Sequence, residues 1–168
     1  MRPTFAPGQM IIRPISADDL EGLSQLFVAC FSAPPWKEKW CISAAHVRIS
    51  RMIQSQSCRG VVAVLDSSIV GMAFGQIEGW LDGNLFLLQE FCVSPSHQHQ
   101  GIGRALLSEL LTDLSSIDNV GAVYLLTDHA SPAQSFYEKF GFVPSAKKVV
   151  MGAAISSLIA NANANANA

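Results

Sequence analysis

The stretch that decides the fold is Phe91-Cys92-Val93-Ser94-Pro95-Ser96-His97-Gln98-His99-Gln100-Gly101-Ile102-Gly103-Arg104. An apolar run stops at Ser94-Pro95, where proline cannot donate to a strand ladder. Two glycines follow, one residue apart. Ile102, Leu106, Leu110 and Leu114 then step by four, and Ala105, Leu107 and Leu111 widen the stripe. That spacing predicts an amphipathic helix. A glycine turn at the mouth of a helix lets a ligand approach the backbone closely. The first-turn N–H groups have no intrahelical partner there, so strand, glycines and helix together suit an anion, a pyrophosphate above all. A single Gly-x-Gly without a third spaced glycine is not a dinucleotide fingerprint, and no Gly-Lys-Ser/Thr marks a P-loop.

Upstream, Met10 to Arg13 is a short strand candidate closed by Pro14. Ser16 to Asp19 carries a capping pattern, a hydroxyl followed three residues later by an acid. Leu20, Leu23, Phe27 and Cys30 then fall at helical spacing. Ala33 to Trp40 breaks the pattern with two prolines and two tryptophans. Ser43 is positioned to cap a second helix running to about Gln54, with Val47, Ile49, Met52 and Ile53 as its apolar positions. Residues 60–76 read as a hairpin turning at Asp66-Ser67-Ser68. Gly79, Asp82 and Gly83 mark a loop containing Trp80, and residues 84–93 form a third strand.

Downstream, Ala122 to Thr127 reads as a buried strand. Ser131-Pro132 opens a short helix, with proline in the first turn as the geometry prefers, and Gly141 ends it as a left-handed cap. Phe142-Val143 and Val149 to Gly152 supply the last strand material. The order is β-α-α-β-β-β-α-β-α-β-β, a mixed sheet with helices on both faces. Residues 1–9 are a loose leader, 10–155 one domain, and 156–168 a low-complexity tail of alternating Asn and Ala that is expected to fray.

Composition narrows the class. Of 168 residues, 49% are apolar and 14% charged. Intrinsic disorder needs the opposite balance. The longest near-apolar run, Val149 to Ala160, falls short of the ~20 residues a membrane span needs, and the N-terminus has no apolar signal region. A formal net charge of −2 gives no electrostatic footprint for nucleic acid. Cys30, Cys41, Cys58 and Cys92 include no Cys-x-x-Cys pair, so no metal site is expected and four reduced thiols in a cytoplasmic protein are.

With these residues in view, the chain resembles the GNAT superfamily of acyl-coenzyme A-dependent N-acyltransferases. The hairpin, Phe91 to Pro95, Gln98-x-x-Gly101-Ile102-Gly103, Tyr124-Leu125-Leu126 and Ser135-Phe136-Tyr137-Glu138-Lys139-Phe140-Gly141-Phe142 stand in that family's order and separation. The resemblance implies a twisted, mostly antiparallel mixed sheet with one splayed parallel pair, residues 84–93 and 122–127, and acetyl-CoA in the gap. Phe91, Cys92 and Val93 would offer backbone groups to the pantetheine arm. Gln98, His99, Gln100, Gly101, Ile102, Gly103 and Arg104 would cradle the pyrophosphate. Tyr137 would lie near the thioester sulfur. There are departures from the pattern. Where the family often has Asn, seven residues before the tyrosine, stands Ala130; Ser131 beside it is either a substitute contact or only a helix cap. His99 and Gln100 stand where many members carry a cation in the phosphate loop. Leu126 occupies a position where some members keep a catalytic Glu.

The implied reaction is direct attack of a neutral amine on the thioester. A proton must leave the ammonium, and the departing thiolate needs one. Tyr137, with an ordinary phenol pKa of ~10, suits the second task. Glu90, a carboxylate within an apolar strand, is the first candidate for the first task; Glu78, Asp82, Asp128, His129 and a water relay stand behind it. Trp36, Trp40, Glu78 and Trp80 are expected to line the acceptor side, with Glu38 and Asp82 adding negative charge. That favours a small cationic or aromatic amine, aminoglycoside-like or polyamine-like. A protein or peptide N-acetyltransferase and a non-catalytic acyl-CoA sensor are the alternatives. A homodimer is compatible with the apolar run 149–160.

Overall fold

A computed structural model describes residues 8–117 and 119–166, without the side chains of 163–166. Most of the expected leader lies outside the described residues. The chain divides into two compact units, Met1–Leu126 and Thr127–Ala168, and each is taken by itself.

The first unit is a five-stranded sheet in the order β1 (Ile11–Pro14), β2 (Cys58–Leu65), β3 (Ser68–Trp80), β4 (Gly83–Val93), β5 (Val120–Leu125). Every neighbouring pair is antiparallel except β4–β5, which is parallel. Helices α1 (Leu20–Phe31) and α2 (Ile42–Ile53) cover one face, and α3 (Ile102–Ser115) packs on β1, β2 and β3. The reason is visible in β2. Successive strand side chains point to opposite faces, and here both faces are buried. Val62 and Val64 join Leu23, Leu26, Phe27, Ala45, Ile49, Met72 and Phe74 in the core under α1 and α2, while the equally buried Val61 and Ala63 alternate with them. On α3, Ile102, Leu106, Leu107, Leu110 and Leu114 are all buried, as the four-residue stepping predicts.

Local chemistry sets the turns. Asp66 and Ser67 both take positive φ, 47° and 65°, the requirement of a two-residue hairpin turn that matches strand twist. Ser16 and Asp19 form the expected reciprocal cap, with Ser16 N–H and Oγ–H donating to Asp19 Oδ2 at 2.8 and 3.1 Å. A single 3-10 turn, Ala17–Asp19, precedes α1.

Several expectations are revised. Cys41, not Ser43, stands at the N-cap of α2. Val47 is half exposed rather than core, and Ala45 takes its place. Trp80 is not in a loop, because β3 runs on through it and pairs with Gly83 around Leu81-Asp82. The strand expected to be buried over 122–127 is β5, and its residues are exposed or half-buried, because it stands at the edge of the sheet.

The second unit holds α4 (Pro132–Glu138) and α5 (Ile155–Ala166). Ser131 caps α4, its Oγ accepting from Gln134 N–H at 3.0 Å, and Gly141 has φ 92° as expected of a left-handed stop. The two final strand segments, 142–143 and 149–152, are not strands. A β run persists only where a neighbour completes its hydrogen bonds, and the sheet ends at β5. The Asn-Ala tail, expected to fray, is helical through Ala166. Alanine is the strongest helix former, and it alternates with asparagine there. No helix among the described residues is long and apolar enough to cross a membrane.

Candidate active site

The geometry begins with a fault in the sheet. Between β3 and β4, Phe74 pairs with Glu90 and Gly75 with Leu88, so Gln89 is an extra residue opposite no partner of its own. A bulge of this kind bends its strand and re-aims side chains. Gly75 makes it possible: a Cβ there would fall 1.9 Å from the Leu87 carbonyl oxygen, so no residue with a side chain fits beside the bulge. On the other side of β4 the parallel ladder with β5 runs from Asn84–Val120 to Leu88–Leu125. β4 continues to Val93. The pair is therefore joined at one end and open from the bulge onward, which is the splay expected for residues 84–93 and the later strand.

Glu90 is buried, at 4% exposure. Arg48 of α2 reaches it from 42 positions away in sequence. Arg48 Nε–H and Nη2–H both donate to Oε1, at 2.8 and 2.5 Å. The Phe27 ring lies 6.0 Å from the same guanidinium. Burial pushes the Glu90 carboxyl above its ordinary value; Arg48 opposes this, and the negative charge of Glu38 adds to the rise. A carboxyl raised in this way is poised to exchange a proton. Sequence reasoning singled out Glu90 but not Arg48, whose position on the helix carries no signal of its partner.

Arg48 also lines a groove of about 680 Å³, together with Trp40, Ser43, Ala44, Val47, Arg51, Met52 and Gln89. Of the acceptor-side residues expected from sequence, Trp40 lines it. Trp40 also packs edge-on against Phe27, with centroids 4.8 Å apart, and its Nε1–H donates to Glu38. Trp36 stacks at 6.0 Å from Phe31. Glu78 accepts from Tyr124 Oη–H at 2.6 Å, and that bond pushes the Tyr124 phenol up. Trp80 stands at the tip of the β3–β4 hairpin, largely exposed. Six residue steps along the strand separate Gly83, its partner, from Gln89, or ~20 Å at ~3.3 Å each. Glu78 and Trp80 thus lie toward the turn of the hairpin, away from Gln89, the hairpin residue that lines the groove with Trp40.

The loop between β4 and α3 is tied to the strand end. Gln98 Nε2–H donates to the Val93 carbonyl at 3.1 Å, and Cys30 Sγ–H donates to the same oxygen at 3.4 Å. Gln100 Nε2–H reaches Ser96 O at 3.4 Å. His99 and Gly101 take positive φ, 62° and 84°. Gly101 is the N-cap of α3, and a Cβ built on it would meet nothing within 4 Å, so its requirement is conformational and the space before the helix is open. Ala105 N–H is bonded back to Gly101 O at 3.0 Å; Ile102, Gly103 and Arg104 make up the first turn. This cradle fits a phosphate group. Cys92 is held as a thiol: its contact with the Cys30 sulfur and its burial push its pKa well up.

In the second unit Tyr137 is buried on α4. Its ring meets Phe136 and Phe142 edge-on, at 5.4 and 5.6 Å between centroids. Ser131 is committed to capping α4. Ala130 takes φ 55°, a left-handed conformation in which asparagine is several-fold commoner than alanine. Asp128 and His129 lie in the irregular segment before it.

Known proteins share this architecture. A possible acetyltransferase from Clostridium difficile 630 superposes with a TM-score of 0.74 at 15% identity, covering 87% of this chain and 98% of that one. An aminoglycoside N-acetyltransferase, AAC(6')-Iy in complex with CoA, gives 0.70 at 16% identity, over 91% and 99%. The ribosomal-protein-alanine N-acetyltransferase of Brucella melitensis biovar Abortus 2308 gives 0.67 at 14%, over 86% and 100%. No curated protein sequence matches the chain. At these identities the structures establish the fold. Residues 56–144 match the family model of the acetyltransferase (GNAT) domain, a span holding the hairpin, the bulge, the glycine turn, α3 and Tyr137, and by that match the chain belongs to the GNAT acetyltransferase family.

Proposed function

We propose that this acetyltransferase moves the acetyl group of acetyl-CoA onto a primary amine of a small molecule, with both substrates bound together. The observation that carries this reading is Glu90, a buried carboxyl with a raised pKa beside the bulge, bonded to an Arg48 that lines an open groove. Acetyl-CoA supplies the activated thioester. The backbone of Phe91, Cys92 and Val93 aligns the pantetheine arm along the open part of β4, and residues 98–104 hold the pyrophosphate. Glu90 takes the ammonium proton, directly or through a water. The amine nitrogen bonds to the acetyl carbon, the carbon–sulfur bond breaks, Tyr137 protonates the leaving thiolate, and the second proton shed by the nitrogen restores the Tyr137 phenol through solvent. The groove volume lies within the ~300–1,000 Å³ typical of small-molecule sites, which favours a small acceptor over an extended peptide. Structural neighbours named as aminoglycoside acetyltransferases support the same choice.

The test is acceptor-dependent release of free CoA thiol across polyamines, aminoglycosides, amino acids, aromatic amines and peptides. Turnover confined to one class of small amines is expected. Tyr137→Phe is expected to lose turnover while keeping affinity for acetyl-CoA. Folded protein that binds acetyl-CoA and acetylates nothing in the panel would overturn the reading in favour of an acyl-CoA sensor.

A further inference from the structure

The groove has a charge that the sequence does not suggest. Its lining contains two guanidiniums, Arg48 and Arg51, and no carboxylate. Arg48 is neutralised by Glu90 from below, so Arg51, one turn further along α2, is the surplus charge. Neither Glu38 nor Glu78, expected to draw in a cationic acceptor, is in the lining: Glu38 accepts from Trp40 at the groove's edge, and Glu78 accepts from Tyr124. The remaining lining is apolar or neutral. Trp40, Ala44, Val47 and Met52 form an apolar wall, and Val47 and part of Trp40 are open to solvent. Arg48 spends two N–H donors on Glu90 Oε1, out of the five in a guanidinium. The geometry holding it, Glu90 on one side and the Phe27 ring on another, fixes the direction in which the remaining donors point. A fixed guanidinium fork matches a carboxylate better than any other common anion of a small metabolite.

We propose that the acceptor is an amine carrying its own carboxylate and an apolar or aromatic side chain, an amino-acid-like molecule. Arg51 and the spare donors of Arg48 receive the carboxylate. Trp40, Val47 and Met52 receive the side chain. The amine then lies toward Gln89 and Glu90, where the proton is removed. This rests on the acetyltransferase reading and specifies its substrate. It keeps the aromatic half of the sequence expectation and replaces the cationic half.

The test compares matched pairs, phenylalanine with phenethylamine and tryptophan with tryptamine, alongside spermidine, by CoA release. The acids are expected to exceed their decarboxylated partners in kcat/KM by about tenfold or more, the range of one charge-assisted contact. Arg51→Gln is expected to remove most of that ratio, whereas Arg59→Gln, a cation outside the groove, leaves it intact. Spermidine or the decarboxylated amines as the better acceptors would overturn the proposal while leaving the enzyme an acetyltransferase. So would an unchanged ratio in Arg51→Gln. If nothing is acetylated, tryptophan fluorescence titrated with phenylalanine decides separately. Saturable binding weakened about tenfold by Arg51→Gln upholds the groove's specificity, and no binding overturns it.

Discussion

Two carboxylates in this protein are nearly closed to solvent, and each is bonded to an arginine, yet their proton affinities move in opposite directions. Asp19, at the start of α1, is 7% exposed, and Glu90, on β4, is 4% exposed. Asp19 receives Arg13 as a two-pronged fork, Nη2–H to Oδ1 at 2.7 Å and Nη1–H to Oδ2 at 2.8 Å. It also accepts from Ser16 N–H and Oγ–H. Burial raises its pKa, but the Arg13 and Ser16 bonds outweigh burial, and Asp19 is held below the ordinary value. Both donors of Arg48 converge on one oxygen of Glu90, and Glu38 repels the charge, so burial wins and Glu90 rises. Depth in the protein together with the number and spread of donors, not the presence of an arginine, sets which way a buried acid shifts. The first arrangement fastens a helix start. The second suits catalysis.

Breaking the contrast at Glu90 has the largest expected effect. Glu90→Gln is expected to lower kcat by roughly 10²–10⁴-fold, the usual contribution of a general base, and to flatten the acidic limb of the pH–rate profile. A profile unchanged in shape would assign the proton to another group.

Arg48→Met comes next. It leaves the Glu90 charge buried without its partner, at a cost of roughly 1–3 kcal/mol, less than for a fully buried pair because Arg48 is about half exposed. The sign with pH is specific. A carboxyl raised on folding contributes stability that is full below its unfolded value near 4.5 and is lost as pH rises through the folded one. Removing Arg48 raises Glu90 further, so the variant's deficit in urea denaturation grows with pH. A deficit independent of pH would mean that the loss is packing against Phe27 instead.

Asp19→Asn is expected to cost about 1–2 kcal/mol at neutral pH, with its pH dependence in a more acidic window. A depressed carboxyl contributes stability present above its unfolded value near 3.8 and lost as pH falls through the folded one. The deficit therefore shrinks toward zero in acid. Plotted together, both deficits grow with pH but in different windows, that of Asp19→Asn below about 3.8 and that of Arg48→Met above about 4.5, and changes confined to one shared window would dissolve the contrast.

The same contrast marks what a sequence discloses. Asp19 and Ser16 are three residues apart, and their cap is legible because its chemistry is local. The α3 stripe is legible because burial on one face repeats every turn, and the glycine turn before it because positive φ at Gly101 leaves few alternatives. Arg48 and Glu90 meet only when α2 lies over β4, and no spacing rule reaches across 42 positions. Val47 misleads for a related reason. Its apolar side chain fits the helical stripe, but the rotation of α2 on the sheet is set by Ala45 and Ile49. β5 reads as a core strand because its composition is apolar, and composition is silent on whether a strand has a neighbour on both sides. The tail reads as low complexity, although alanine at every second position supports a helix.

The ladder between β4 and β5 stops at Leu88 and Leu125, with five residues of β4 still to run. The sheet therefore behaves as a gauge. Five residues span ~17 Å at ~3.3 Å each, and an extended molecule laid along that length is stopped where the strands zip together. One more rung of pairing would shorten the gauge by ~3.3 Å and carry the stop toward Glu90. Where the zipper halts thus meters the reach of whatever threads the opening, a dimension written in backbone register that no side-chain substitution along β4 changes by itself.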